Sequence, residues 1–459
     1  MSIILFSLVM LLTFLFGLSL SRWLRVTDVV ETWGLSWLLG MGWTTMAWFL
    51  VYFYGGQLFT LNSLFGTYAG LNVVSWLLLG ISRRAELWQM LKWPMAFNTK
   101  WQRVRSQPTL MGGVITLLAI NVFVLFQNLF WPVTDWDALA LYDFRSKVMV
   151  ITGSLNQGIK LGYFFQYPLF TSVLHASTYL TGLGVAKVWY AILFQAALAC
   201  FYVLLRKRTS AVMSILGTIF LASIPLIFTH GYTAYTNLAF TIYGGLGFIY
   251  LWQWWQDHHS VNLLLGGMLV GLSTWIRISE PFYLVAILLV VAGVVQQARL
   301  KILTRSTVFA GIVSMLCIWF TRQPWDNLIT ALFGSNVNTP ISSLSLVSTW
   351  NPISFVMRSG EVAVYLARYS ATVYVWYALL ALGLLITDLK HKRWQLVVPW
   401  LTLLTFLAII FAGTLLLSFS LESWNRIGDS VTRMSMFLIP MWVYVIFASP
   451  SWLSKGKSP

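Results

Sequence analysis

"LFTSVLHASTYLTGLGVAK", residues 169–187, decides how this chain is threaded. It is apolar enough to cross a bilayer, and if it does, every loop after it changes side. His175 and its Ser and Thr neighbours weaken it as a span, so we expect a half-embedded or interfacial segment. The charges around it agree. Loop 82–108 carries Arg83, Arg84, Lys92, Lys100, Arg103 and Arg105 against one acid, Glu86. Short loops rich in Lys and Arg stay on the cytoplasmic side. Counting from that loop, "RWLR" 22–25, "RKR" 206–208, "ARLKILTR" 298–305, "KHKR" 390–393 and the tail with Lys455 and Lys457 all fall inside, provided that 169–187 does not cross.

The rest of the chain requires a membrane. Hydrophobic residues make up 58% and charged residues 9%, against about 25% charged in soluble domains. Apolar runs of about 20 residues recur from end to end, each long enough to cross. Helices are the only form that satisfies the backbone there. We expect an all-α polytopic membrane protein of about thirteen transmembrane helices: 2–21, 35–54, 59–81, 109–130, 187–205, 211–229, 238–255, 261–276, 282–297, 307–321, 373–388, 395–417 and 435–449. The first run, "SIILFSLVMLLTFLFGLSLS", lacks a basic leader and is read as a span rather than a signal peptide. The net charge of +16 belongs to orienting loops and not to nucleic-acid binding. Cys200 and Cys317 lie inside apolar runs and read as packing residues.

On this threading "TDWDALALYDFRSK", 134–147, lies outside and holds three of the chain's 13 acids: Asp135, Asp137 and Asp143. Asp135 or Asp137 suits an N-cap, and Asp143 can pair with Lys147 four residues on. Leu141, Phe144, Val148 and Ile151 share one side, as in an interfacial helix. Caps and pairs leave one carboxylate over, flanked by Trp131, Trp136 and Tyr142, rings that can stack a sugar.

Four stretches then resemble the GT-C superfamily of polyprenyl-phosphate-dependent glycosyltransferases. The likeness is to the bacterial group of protein O-mannosyltransferases and the lipid A aminoarabinose transferase. They are "WDALALYDFRSK" 136–147, "YPLFTSVLHA" 167–176, "GLSTWIRISEPF" 271–282 and "RIGDSVTRMSMFLIP" 426–440. The resemblance covers roughly 109–449 as a catalytic module with interfacial helices in the first large outer loop. Residues 1–108 remain as three accessory spans with a basic loop, and 450–459 as a cytoplasmic tail. It implies a membrane glycosyltransferase of the cell envelope, in a bacterial plasma membrane with its active site facing outward. The enzyme would pass a sugar from a polyprenyl-phosphate donor to a hydroxyl of a glycan, lipid or protein acceptor, with inversion. Asp137 matches the general base. Arg433, then Arg426, Arg145 and Lys147, match the cations for the donor phosphate. Asp135, Tyr167 and the pair Arg277 and Glu280 match supporting positions.

The chain departs from the family at Thr236 and Asn237, where relatives carry an acid, and at Pro281, where they carry Gly. The missing acid argues against a divalent metal, which wants carboxylates, so no cofactor is expected. The rival readings are a flippase or transporter of a lipid-linked saccharide, and a polymerase or ligase of O-antigen type. Coupled transporters place charges near the bilayer midplane, and none is seen in these spans. The polymerase or ligase would rely on Arg358, Arg368 and His230.

Overall fold

The computed structural model describes residues 1–83, 101–102, 104–156, 165, 167–278, 280–334, 352–371, 397–420, 424 and 433–448. The expected span 373–388, most of the basic loop 82–108, the tail and Arg426 lie outside the described residues. Among these, the regular structure is entirely helical. The order is α1 (Ser2–Trp23), α2 (Val29–Phe53), α3 (Leu61–Ser82) and α4 (Pro108–Phe130). A π-helical turn (Ala138–Asp143) runs into α5 (Phe144–Thr152), followed by α6 (Phe170–Tyr179), α7 (Val188–Arg206), α8 (Ala211–Ser223) and α9 (Pro225–His230). Then come α10 (Thr236–Asp257), α11 (Ser260–Ile276), α12 (Glu280–Arg299), α13 (Arg305–Phe333), α14 (Pro352–Ala371) and α15 (Val397–Ser420). A 3-10 turn (Met436–Leu438) leads into α16 (Ile439–Ala448).

Seven of these helices, α1, α2, α3, α4, α7, α12 and α15, are long and apolar enough to cross a membrane. Their outward sides carry bare Leu, Val and Phe, among them Leu77, Leu118, Val122, Phe126 and Leu288. This is an integral membrane protein. Residues 169–187 do not form a span: α6 has 10 residues, about 15 Å of rise against about 30 Å of hydrocarbon. Nor is α6 interfacial, for Phe170–Thr178 are all buried within the protein. The expected span 211–229 is broken at Pro225 into α8 and α9, with Ile224 extended (φ −59°, ψ 119°), as a residue before proline prefers.

Small residues let the helices touch. A Cβ on Gly40 of α2 would lie 2.1 Å from the Thr13 carbonyl oxygen of α1, so the two backbones meet directly. Thr321 of α13 donates to the Gly271 carbonyl of α11 at 2.7 Å. The three N-terminal helices share the main core: Tyr243 donates to the Leu38 carbonyl, Trp275 to Thr45, and Tyr250 to Glu31. Both cysteines are free.

The bundle has two chemically different ends. At one, Tyr52 of α2 meets Ser154, Asn128 of α4 donates to the Gly231 carbonyl, and Lys187 donates to the Pro132 carbonyl. At the other, Lys207 of α7 meets Glu31 of α2, and Arg208 meets Gln253 of α10. Residues 131–156 lie at the first end and the clusters 22–25 and 206–208 at the second.

Candidate active site

The π-helical turn sets the geometry. Its wider winding follows a backbone bond from Leu139 N–H to the Asp135 carbonyl. Asp137 occupies the cap position but its side chain makes no capping bond, contrary to one expected role. The turn and α5 are inverted relative to a helix in water. Trp136, Phe144 and Ile151 are exposed, Ile151 at 83%. Asp143, Arg145 and Ser146 point inward and are buried. The expected apolar side is therefore split, with Leu141 inside and Phe144 and Ile151 outside.

Asp143 is more than half of a helical pair. Lys147 does lie 2.7 Å from its Oδ2. Its Oδ1, however, meets His175 Nδ1 at 3.1 Å and accepts a short bond from the Tyr179 hydroxyl. His175 and Tyr179 are one turn apart on buried α6. Burial pushes the Asp143 carboxyl up, but His175, Lys147 and Tyr179 together outweigh it and hold the group well below the usual carboxylate range. Burial and the Asp143 charge both push the Tyr179 phenol up, so it remains a donor.

Arg145 is fully buried and serves the same scaffold. Nε donates to Ser172 at 2.9 Å, and the two terminal nitrogens donate to the Tyr167 and Pro168 carbonyls at 2.6 and 3.1 Å. Burial lowers its pKa to about 10, so it keeps its charge at neutral pH. These contacts fix the turn carrying Asp137 to α6 and leave Arg145 a structural role rather than a place beside a phosphate.

Asp137 itself is 41% exposed, and its Oδ2 accepts from Arg433 at 2.5 Å across 296 residues of chain. The Arg433 guanidinium also lies 5.6 Å from the Tyr235 ring, just before α10. Burial and the Asp137 charge push the Tyr235 phenol up. The start of α10 carries the next contacts. Thr236 bonds the Tyr142 hydroxyl at 3.0 Å, and Asn237 Oδ1 accepts from Arg277 at 3.2 Å. Burial raises the Tyr142 phenol to about 12. Arg277 also lies over the Tyr167 ring at 4.8 Å and the Phe437 ring at 5.5 Å, and Phe437 is one turn beyond Arg433. Asp137, Arg433, Tyr235, Asn237, Arg277 and Tyr167 thus form one continuous patch.

The expected pairing of Arg277 with Glu280 is not made. Glu280 goes to Arg322 at 3.1 Å, and Arg322 also holds Asp326 at 2.9 Å. Arg277 therefore faces an amide, a phenol and two rings, with no carboxylate among the described residues. In low dielectric such a cation is a strong site for an anion. The N-terminus of α10 adds positive potential beside it.

The structure thus brings Asp137, Arg433, Arg277 and Tyr167 together. It assigns Arg145 to the scaffold and Lys147 to Asp143, and it leaves Asp135 half-buried with no ion pair among the described residues. Trp131 and Trp136 are exposed and open to a ring-stacking ligand, whereas Tyr142 is buried. Of the residues suggested for a polymerase or ligase, Arg358 pairs with Glu361 at 2.8 Å, and buried His230 Nδ1 lies 2.8 Å from the Leu226 carbonyl oxygen. His175, Tyr179, Tyr235 and Arg322 were not foreseen as site residues, and Asn237 was noted only as a departure from the family. A His and a Tyr four residues apart in an apolar segment were the available signal for the first two.

A carboxylate paired with one guanidinium, with a second guanidinium held by an amide and a phenol in the same patch, suits a proton acceptor near a bound anion. No group of three or more His, Cys, Asp or Glu side chains converges among the described residues. No family model matches the chain, and no curated protein and no solved structure matches it.

Proposed function

We propose that the protein is a membrane glycosyltransferase that takes a sugar from a polyprenyl-phosphate donor and passes it, with inversion, to an acceptor hydroxyl. The supporting observation is the pairing of Asp137 with Arg433 in one patch with Arg277, a cation that has only neutral partners among the described residues. The donor's isoprenoid stays in the bilayer while its phosphate reaches Arg277. Asp137 Oδ1, unlike Oδ2, carries no hydrogen bond among the described residues and can accept the acceptor's proton. The acceptor oxygen forms a bond to the anomeric carbon. The bond from that carbon to the phosphate oxygen breaks, and its electron pair leaves with the phosphate. Arg277 and Arg433 stabilise the charge that develops there. Trp131 and Trp136 offer faces for the sugar or the acceptor.

The thirteen-span threading belongs to the same proposal. It puts this end on the outer face of a bacterial plasma membrane, because the basic clusters gather at the opposite end. The carboxylate carries the test. Asp137→Asn keeps the size but not the basicity, and transfer should fall by on the order of 10²–10⁴ with donor binding retained. A variant that is well expressed and still transfers would remove Asp137 as the base. Retained saccharide translocation with no transferase activity in the wild type would favour the transporter reading.

A further inference from the structure

The opposite end of the bundle holds a second polar feature that the proposed reaction does not use. A cavity of about 1400 Å³ opens between α2, α4, α7, α10 and α11. That exceeds the roughly 300–1,000 Å³ of small-molecule pockets. Its walls are apolar, with Val30 and Trp33 from α2, Leu117, Leu118 and Val122 from α4, and Leu198 from α7. Leu118 and Val122 are also exposed on the lipid-facing side of α4, so the cavity communicates sideways with the bilayer.

The mouth is cationic. Arg25, Arg206, Lys207 and Arg208 line it together with Asp28, Glu31 and Asp257. The acids are already engaged. Asp28 caps α2, Glu31 holds Lys207 and Tyr250, and Asp257 accepts from His259 N–H and Asn262. Arg206 donates to the Thr209 carbonyl, Arg208 is held by the neutral Gln253 amide, and Arg25 is exposed. None of these three guanidiniums has a carboxylate partner among the described residues. Deeper in, Asn121 Oδ1 is buried without a partner among the described residues, and Gln195 lines the cavity. Polar atoms left bare at this depth are costly, so the cavity takes something that brings polar groups as well as hydrocarbon.

We infer that this cavity binds an anionic glycerophospholipid from the surrounding leaflet. Its phosphate sits among Arg25, Arg206 and Arg208 and its chains lie along α4 and α7. The ester carbonyls accept from the Gln195 amide N–H, and accompanying water donates to Asn121 Oδ1. Positive charge at the mouth selects the anionic head, the apolar walls select the chains, and the lateral opening on α4 selects a bilayer resident over a soluble phosphate. The site is separate from the Asp137 patch and does not depend on the transferase reading.

The test uses the full chain in zwitterionic nanodiscs, with lipid retention read by native mass spectrometry and thermal stabilisation read on titration with phosphatidylglycerol. Phosphatidylglycerol should bind and raise the melting temperature, whereas phosphatidylcholine and free glycerol phosphate should not. Arg206→Gln with Arg208→Gln should weaken binding by about tenfold or more, since charge-assisted contacts are lost. Leu117→Trp, which narrows the apolar wall and leaves the charges alone, should weaken it several-fold. Equal retention of both lipids, or full phosphatidylglycerol binding by the two variants, overturns the site. Tighter binding of polyprenyl phosphate than of phosphatidylglycerol overturns the choice of occupant.

Discussion

Replacing Asp143 by Asn tests the scaffold under the candidate base. In the wild type the buried carboxylate receives His175 and Tyr179 on one oxygen and Lys147 on the other. Asn keeps an oxygen for α6 but turns an N–H₂ toward the Lys147 ammonium, donor against donor. Hydrogen bonds to a charged group contribute about 1.5–3 kcal/mol each. The amide oxygen retains part of the two from α6. The Lys147 contact adds little because that side chain is 55% exposed and solvent screens it. The net loss is about 2–4 kcal/mol, which should appear as a drop of several degrees in melting temperature at pH 7 in matched detergent. The pH dependence carries a sign. The carboxyl is held below its ordinary value in the fold, so its stabilisation is present above the unfolded value of about 3.9 and is lost as pH falls through the folded one. The gap between wild type and Asp143→Asn should therefore be full at pH 7 and begin to close only below about pH 4. A melting temperature unchanged at pH 7, or a gap that does not narrow in acid, would refute a buried charged hub.

Arg277→Gln should weaken donor binding about tenfold or more and lower turnover with it, measured by retention of a lipid-phosphate donor and by transfer rate. Arg145→Met strands the Tyr167 and Pro168 carbonyls and should cost about 3 kcal/mol or more, seen as lost monodispersity or a lower melting temperature; unchanged stability would remove its scaffold role. A cysteine at exposed Asn156 should react with a membrane-impermeant thiol reagent on intact cells. Labelling only after permeabilisation would invert the proposed threading.

The helices were legible because apolar length is a local property. The expected spans 2–21, 109–130 and 187–205 fall within two residues of α1, α4 and α7. The chain is harder to read where local rules suffice for a plausible but incomplete answer. Spacing explains Asp143 through Lys147, yet cannot show that α6 brings two more donors from about thirty residues away. In the same way Arg277 and Glu280, three apart, look paired until Arg322 arrives from α13 and takes the carboxylate. α13 also continues past the expected end at 321 through Pro324 to Phe333, because a proline removes one donor without ending a helix held on its buried side. Asp137 and Arg433 could each be picked out by resemblance, but their direct contact is a property of the closed bundle alone.

That contact has a consequence for biogenesis. Asp137 emerges after less than a third of the chain is made, and its cation arrives with the last described helix. The intervening helices can insert and pack around α2 and α7 while the carboxylate still waits. A chain cut or stalled before residue 433 would embed in the membrane and hold its inverted turn against α6, yet lack the charge that aims the base. The proposed site is thus assembled last, from two distant parts of the synthesis, and on the transferase proposal an incomplete polypeptide would not transfer sugar.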